Sequence, residues 1–202
     1  MILYDLPAGM HPRRVRIFLA EKGQTLPTRV VDAAQGENSQ PEFLRLNPMG
    51  RLPVLALDDG TVISESLAIC RYLESLYPTP PLLGVGALDI ATVDMWTRRM
   101  EQQLSNPIAD IFLHSSDFYR NRITQVPAYA DWSREQVMKT FAWLDRELAD
   151  RPFIAGANYT LADIVAQCAA VLGKAVGTRI PTEHANLGRW FAAVSARPTA
   201  RA

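Results

Sequence analysis

Two adjacent residues, Glu65 and Ser66, place a carboxylate and a hydroxyl at the predicted start of a helix, directly after Ser64. The N-terminus of a helix offers backbone N–H groups without intrahelical partners and a positive potential, so it can hold an anion. The Ser66 hydroxyl would add a donor, and the Glu65 carboxylate could bind an ammonium group. A simpler alternative is that Ser64 merely caps the helix. On these residues alone, the cap is the favoured interpretation.

A proline lies at the start of the preceding apolar run. Pro53 comes directly before Val54–Leu57, which predicts a strand. Proline has no N–H for a sheet, so it occurs at edges, at first positions and at bulges. A proline between a loop and a hairpin strand resembles the cis-proline of the thioredoxin-like fold. There the cis bond turns the backbone of the preceding residue toward a ligand, which predicts a cis Leu52–Pro53 bond.

Short strands and helices alternate around these two motifs. Strands are predicted over 2–4, 28–32, 54–57 and 61–63, and helices from Pro12 to Lys22, over 41–46 and from about Ser64 to Tyr77. Val15, Phe18 and Leu19 share one face of the first helix, and Gly23 is a suitable residue to follow its end. The order βαβ–α–ββα predicts a small mixed sheet with helices on both faces.

Only helical patterns follow the proline-rich segment 78–87, which we interpret as a linker. These patterns cover 88–117 with a kink at Pro107, 134–150, 160–172 and 185–197. The segment 160–172 is apolar on most sides and is therefore the expected central buried helix. Thr160 and Asp163 match a capping box at its start. The expected domains are 1–77 and 88–202.

The composition of the 202 residues, with 48% hydrophobic and 21% charged residues, is typical of globular domains. The formal net charge is zero, which argues against nucleic-acid binding, because that requires an excess of Lys and Arg. The one basic cluster, Arg13, Arg14 and Arg16, is interpreted as a solvated helix face.

Metal and membrane sites are not expected either. Cys70 and Cys168 lie far apart and outside any CxxC pattern, and the three histidines lack ligand spacing. No apolar run is long enough to cross a membrane, and the N-terminus does not resemble a signal peptide. Free cysteines fit a reducing compartment, so a cytoplasmic protein is expected.

Three segments together resemble the cytosolic glutathione transferases: NPMGRLPVL (47–55), ISESLAICRYLE (63–74) and ANYTLADI (157–164). Each is weak alone, but all three in order, in a strand-rich half before a helical half, are specific. The resemblance covers nearly the whole chain. It implies an α+β thioredoxin-like domain over 1–77 and an all-α helical-bundle domain over 88–202. It also implies glutathione as co-substrate without a prosthetic group, and a two-fold homodimer.

The resemblance assigns roles around the expected glutathione. Glu65 would bind the ammonium group and Ser66 the γ-glutamyl carboxylate, so ligand binding becomes the favoured interpretation of this pair. Leu52 would pair its backbone with the cysteinyl unit ahead of Pro53. Arg51 lies where relatives often carry a Gln or Lys near the glycine carboxylate, and a solvent-facing arginine is the alternative. Weaker candidates of the same kind are Asn38 and Ser39.

The resemblance leaves the activation of the thiol open. Family members use a Ser, Cys or Tyr near the first helix, but the segment Leu6–Pro12 has none, and Gly9 occupies the position of the serine. Three alternatives remain, in this order of preference. The backbone N–H groups of Met10 and His11 could hold the thiolate with the helix dipole. The His11 ring could do so, unless it is a surface residue. Tyr4 could donate, unless it is a packed strand residue.

The predicted function is conjugation of the glutathione thiolate to small hydrophobic electrophiles, in a pocket near Met10, His11, Trp96 and Met100. One alternative is a glutathione-binding protein with little or no turnover, and another is a glutathione-dependent peroxidase or reductase. A remoter one is a stress-response adaptor, which would not need the Glu65-Ser66 pair. The first loop has no cysteine, which disfavours glutaredoxin-like disulfide chemistry.

Overall fold

A four-stranded mixed sheet organises the first half of the chain. The computed structural model describes residues 1–202 and contains β1 (Ile2–Asp5), β2 (Thr28–Val30), β3 (Val54–Ala56) and β4 (Val62–Ser64). The strand order is β2-β1-β3-β4, with β1 and β2 parallel and the other two pairs antiparallel. Helix α1 (Met10–Glu21) makes the crossover between the two parallel strands. The predicted mixed sheet is confirmed.

Helices cover both faces of this sheet. Tyr4 and Val54 point to one face, where they pack with Phe43 of the short helix α2 (Pro41–Leu46). Side chains alternate along a strand, so the fully buried Leu3 and Leu55 point to the opposite face. On that face, α1 packs against α3 (Ser66–Leu76), which also contacts β3 and β4.

Several predicted helix starts are wrong, including that of the helix predicted over 134–150, which runs over Pro127–Glu147. Helix α1 begins at Met10 rather than Pro12, because Gly9 takes the N-cap position and the proline is accommodated within the first turn. Helix α3 begins at Ser66, because Ser64 is still the last residue of β4 and pairs in the sheet. The end of α1 agrees with the prediction, since Gly23 follows it with a φ of +64°.

The chain forms two compact units, Met1–Leu82 with Arg201–Ala202 and Leu83–Ala200. The second unit contains α4 (Gly86–Met100), α5 (Asn106–Ser115), α6 (Pro127–Glu147), α7 (Leu161–Ala175) and α8 (Ala185–Ser195). Helix α7 is buried along most of its length and contacts α4, α5 and α8. The prediction of a central buried helix is therefore confirmed.

A π-helical turn, Glu101–Ser105, separates α4 from α5 where the sequence predicts a kink. Pro107 has no N–H to donate to the carbonyl of Gln103, four residues earlier. The hydroxyl of Thr140 on α6 donates to that carbonyl instead, at 2.9 Å. The proline thus changes the helical hydrogen bonding, and a neighbouring helix satisfies the released acceptor.

No helix of this chain is both long and apolar enough to cross a bilayer. The structure also contains no group of three or more His, Cys, Asp or Glu side chains that could hold a metal ion.

The predicted capping box at the start of α7 is present and is part of a larger network. Asp163, which has no exposed surface, accepts hydrogen bonds from the backbone N–H groups of Thr160 and Ile154, both at 2.9 Å. It also accepts from the hydroxyl of Thr160 at 3.2 Å and from the indole N–H of Trp190 at 2.8 Å. Burial raises the pKa of the Asp163 carboxyl, and these donors oppose that rise.

We predict that Asp163→Asn lowers the free energy of unfolding of the second unit by about 2–4 kcal/mol. The new amide would place a donor where the protein already supplies donors. Thr160→Ala should lower it by about 1 kcal/mol. All four tryptophans lie in this unit, so their fluorescence during urea denaturation reports on it. The exposed Asp150→Asn is the matched control, and an Asp163→Asn variant as stable as this control would contradict the prediction.

Candidate functional site

The sheet register brings three segments of the chain to one end of the first unit. Val54 pairs with Ser64 of β4 and with Tyr4 of β1. The chain therefore enters β3 at the same end where it leaves β1 and β4. The loop 6–9, the segment 51–53 and the pair Glu65-Ser66 consequently meet at this end of the sheet.

Leu52 presents unpaired backbone groups at this end. The Leu52–Pro53 peptide bond is cis, and β3 begins only at Val54. Neither the N–H nor the C=O of Leu52 makes a hydrogen bond within the chain. Both groups can therefore pair with an extended peptide ligand in the manner of a neighbouring strand.

A buried asparagine, which the sequence-based prediction missed, holds the loop before Leu52. The Asn47 amide donates to the C=O of Arg51 at 2.8 Å, and its side-chain oxygen accepts from the N–H of Met49 at 3.1 Å. Asn38 donates to the C=O of Gly50 at 2.8 Å, so its amide supports the loop. Asparagine side chains often accept a hydrogen bond from the backbone N–H two residues later and so stabilise a turn. This signal in the sequence could have identified Asn47.

Glu65 is the only residue other than glycine with a positive φ, at +69°. This conformation is uncommon for a side chain such as glutamate and tends to occur at ligand sites. It turns β4 directly into α3 and leaves the exposed Glu65 carboxylate without an ion pair in the chain. No side chain caps α3, so the simple-cap interpretation is wrong. The N–H groups of Ser66 and Leu67 have no partner within the chain.

A buried arginine lies behind this helix N-terminus. Arg14 on α1 has no exposed surface, and its Nη1 donates to the Ser66 hydroxyl oxygen at 3.2 Å. The predicted solvated face is therefore wrong for this residue. Arg16 is also engaged, with hydrogen bonds to Asp5 at 2.5 Å and to the C=O of Pro7 at 2.8 Å. Arg14 lies four residues before the buried Phe18, so helical spacing could have placed it on the buried face.

Gly9 fixes the first loop against the start of α1. Its N–H donates to the C=O of Leu6 at 2.7 Å, and it occupies the N-cap position without a side chain. A Cβ at this position would lie 2.9 Å from Cδ of Pro12 and 3.0 Å from the Leu6 oxygen. The first turn of α1 contains no acidic residue, and the N–H groups of Met10 and His11 have no carbonyl four residues earlier inside the helix.

His11 lies in this first turn, half-buried, beside two cations. Burial, assisted by the Arg14 and Arg51 guanidinium groups, lowers the pKa of His11 to about 3. The ring is therefore neutral at physiological pH. It can offer one N–H donor, but it cannot act as a cationic acid.

Tyr4 has a packing role in the structure. Its ring meets Phe43 edge-on, with centroids 6.3 Å apart, and the Arg29 guanidinium lies 5.4 Å from the ring centre. Tyr4 packs against the cluster of Val31, Phe43 and Val54. These contacts favour the packed strand residue among the alternatives left open by the sequence.

The predicted electrophile pocket includes residues of both units. Met10 is buried in the first unit. In the second unit, Met100 has no exposed surface, and Trp96 stacks on Trp143 with ring centroids 5.3 Å apart. The role of Met10, Trp96 and Met100 toward an electrophile stays a prediction.

Comparison with known proteins identifies the family. Residues 10–76 match the model of the glutathione S-transferase N-terminal domain, and residues 108–198 match that of the C-terminal domain. The sequence is 33% identical over 213 residues to glutathione S-transferase 2 of Saccharomyces cerevisiae, covering 100% of this chain and 88% of that protein. The chain belongs to the glutathione S-transferase family.

Solved structures of the family agree with the fold described above. A glutathione S-transferase domain-containing protein of Marinobacter aquaeolei VT8 has a TM-score of 0.95 and 35% identity, covering 99% of this chain and 100% of that one. Gtt2 of Saccharomyces cerevisiae has a TM-score of 0.94 and 33% identity, covering 100% and 99%. The predicted fold class, a thioredoxin-like domain followed by a helical domain, is confirmed for this family member.

We predict that His11 does not titrate between about pH 5 and pH 8 in the folded protein, because its pKa is about 3. Proton NMR of the imidazole Hε1 signal checks this, with the signal assigned by its loss in His11→Gln. An inflection of the His11 signal within that range would contradict the prediction.

The same pKa shift makes folding stability depend on pH. Below about pH 6.5 the unfolded chain binds a proton at His11 that the folded chain does not bind until about pH 3. The contribution of His11 to the free energy of unfolding is therefore complete above pH 6.5, and it is lost as the pH falls toward 3. At about pH 5 this loss amounts to about 2 kcal/mol. Urea unfolding followed by circular dichroism measures the free energy of unfolding at pH 7 and pH 5. The difference between the two values should be smaller for His11→Gln than for the unmutated protein.

Proposed function

We propose that this chain conjugates the glutathione thiolate to small hydrophobic electrophiles. One observation carries the proposal, namely the convergence of three sets of ligand-ready groups at one end of the sheet. These are the uncapped N-terminus of α3 at Ser66, the unpaired backbone of Leu52 and the start of α1 at Met10. Glutathione has matching chemistry, with two carboxylates, one ammonium group, two peptide units and a thiol.

The γ-glutamyl end of glutathione would lie at α3. Its carboxylate would accept from the N–H groups of Ser66 and Leu67 and from the Ser66 hydroxyl, aided by the helix dipole. Its ammonium group would pair with the Glu65 carboxylate. The cysteinyl unit would exchange backbone hydrogen bonds with Leu52. Arg51, which is exposed and makes no ion pair in the chain, would lie near the glycine carboxylate.

The thiol would then lie near the start of α1, where a backbone site replaces a catalytic side chain. The N–H groups of Met10 and His11 and the helix dipole favour an anion there, which lowers the pKa of a thiol. The released proton goes to solvent. The thiolate attacks an electrophilic carbon, so a C–S bond forms while the bond to the leaving group breaks and the leaving group departs with the electron pair.

We also propose that the chain forms a homodimer. An apolar stripe on α4 supports a second copy of the chain as the partner. Leu88 and Met95, seven residues apart on one helix face, are 82% and 41% exposed, and Val85 next to them is 69% exposed. Neighbouring apolar side chains with this exposure are typical of protein–protein contact surfaces.

The first test concerns binding. We predict that Ser66→Ala weakens glutathione binding about 10- to 100-fold, because it removes a hydroxyl bonded to a charged carboxylate. Glu65→Ala with Ser66→Ala should abolish retention on immobilised glutathione. Ser75→Ala is the matched control, since Ser75 lies at the other end of α3 and bonds only to the C=O of Arg71. Calorimetry that detects no binding of millimolar glutathione to the unmutated protein would refute the proposed function.

The second test concerns the thiol. We predict that bound glutathione ionises at a lower pH than free glutathione, followed by the ultraviolet absorbance of the thiolate. His11→Ala and Tyr4→Phe should each keep most of the conjugation activity. Gly9→Val should reduce it, because the added carbon atoms crowd Pro12 and the Leu6 carbonyl and displace the start of α1.

Two results would change this assignment. If His11→Ala lowers kcat and leaves glutathione affinity unchanged, the histidine is the donor to the sulfur. If the bound thiol of the unmutated protein titrates no lower than free glutathione, the chain does not activate it. The alternative of a glutathione-binding protein with little or no turnover would then replace the transferase.

A further inference from the structure

Arg14 connects the two helix N-termini that form the site. It extends from the first turns of α1, where it is fully buried, and its Nη1 reaches the Ser66 hydroxyl oxygen on α3 at 3.2 Å. Ser66 is itself buried, with 4% of its surface exposed. This contact is therefore fixed by packing on both sides and is not a flexible surface interaction.

The chemistry of the two groups determines the direction of their hydrogen bond. A guanidinium group has only donors, so the Ser66 oxygen must be the acceptor. The hydroxyl hydrogen of Ser66 then points away from Arg14, which leaves it available as a donor. A ligand carboxylate at the N-terminus of α3 needs a donor there, so Arg14 prepares Ser66 for that role.

The charge of Arg14 also acts at the N-terminus of its own helix, α1. A guanidinium stays protonated, and a buried charge is screened by solvent much less than an exposed one. The first turns of α1 and α3 contain no acidic residue, and the Glu65 carboxylate at the N-cap of α3 is exposed. Arg14 lies three residues after His11 on the same helix, and its charge helps to lower the pKa of that ring.

We propose that Arg14 is a positioning residue that serves both ends of bound glutathione. It orients the Ser66 hydroxyl toward the γ-glutamyl carboxylate, and its charge favours the thiolate at the start of α1. Arg14 acts through Ser66 and through its field, without contacting the ligand. The inference rests on the proposed function, since it names how the same site is prepared.

Two probes separate these effects. S-methylglutathione has no ionisable thiol and measures the Ser66 contribution by calorimetry. Glutathione itself reports the thiol pKa by ultraviolet absorbance. Arg14→Met, which keeps length but removes charge and donors, should weaken S-methylglutathione binding about 10- to 100-fold and raise the pKa of the bound thiol. Arg14→Lys keeps the charge, so it should retain the lowered thiol pKa.

A double-mutant cycle distinguishes positioning from a general structural role. In a Ser66→Ala background, Arg14→Met should cause little further loss of S-methylglutathione affinity, because the hydroxyl it orients is already absent. It should still raise the thiol pKa in that background. Arg13→Met removes a neighbouring charge on the same helix and is the matched control, expected to leave S-methylglutathione affinity unchanged.

The outcomes separate this inference from the proposed function. If the unmutated protein binds neither probe, the proposed function fails. If it binds both, and Arg14→Met binds them equally well with the same thiol pKa, the inference about Arg14 alone is overturned. Additive losses from Arg14→Met and Ser66→Ala would also overturn it. Should Arg14→Met not fold, as judged by circular dichroism, Arg14→Lys decides: loss of the lowered thiol pKa in that variant overturns the proposed charge effect.

Discussion

Val54 is paired on both sides, with Tyr4 in β1 and with Ser64 in β4. The position of every site segment depends on this register, because each segment is the continuation of a strand end. A shift by one residue would turn the side chains of β3 to the opposite faces of the sheet. Val54 and Leu55 are both fully buried, one on each face, so such a shift would exchange two packed environments. Core packing therefore holds Leu52 and Glu65 at the same end of the sheet.

The N-terminus of α7 carries a capping box, whereas α1 and α3 have none. At α7, Asp163 satisfies the backbone N–H groups of Thr160 and Ile154 and a buried indole, and a cap of this kind contributes about 1 kcal/mol or more. At α1 and α3, no side chain caps the helix. In the proposed function, the N–H groups of Ser66 and Leu67, which have no partner within the chain, are donors for the ligand. The proposed site therefore relies largely on backbone groups, and the packed core of the sheet holds them in place.

One buried and one exposed arginine place positive charge beside this part of the sheet. Arg14 supplies a cation that water cannot screen fully, and Arg51 adds a second one from the exposed side. Burial, assisted by the field of these two groups, lowers the pKa of His11 to about 3, so the ring is neutral at physiological pH. An anion at the start of α1 would therefore meet positive potential and a neutral ring. Under the proposed function, this potential would take the place of the Ser, Cys or Tyr that the first loop lacks.

The sequence by itself determined the features that depend on neighbours along the chain. The order of strands and helices, the bounds of α2, the glycine after α1 and the capping box at α7 all follow from local spacing and local hydrogen bonds. The motifs around Leu52 and Glu65 also indicated the family, because their residue types are read directly from the chain. Only the tertiary structure decided which groups Arg14 and Ser64 contact. Arg14 bonds to Ser66, which lies 52 positions later in the chain. Ser64 belongs to a strand because it pairs with Val54. Such contacts depend on which distant segments meet after folding, and the local periodicity of a sequence carries no information about that.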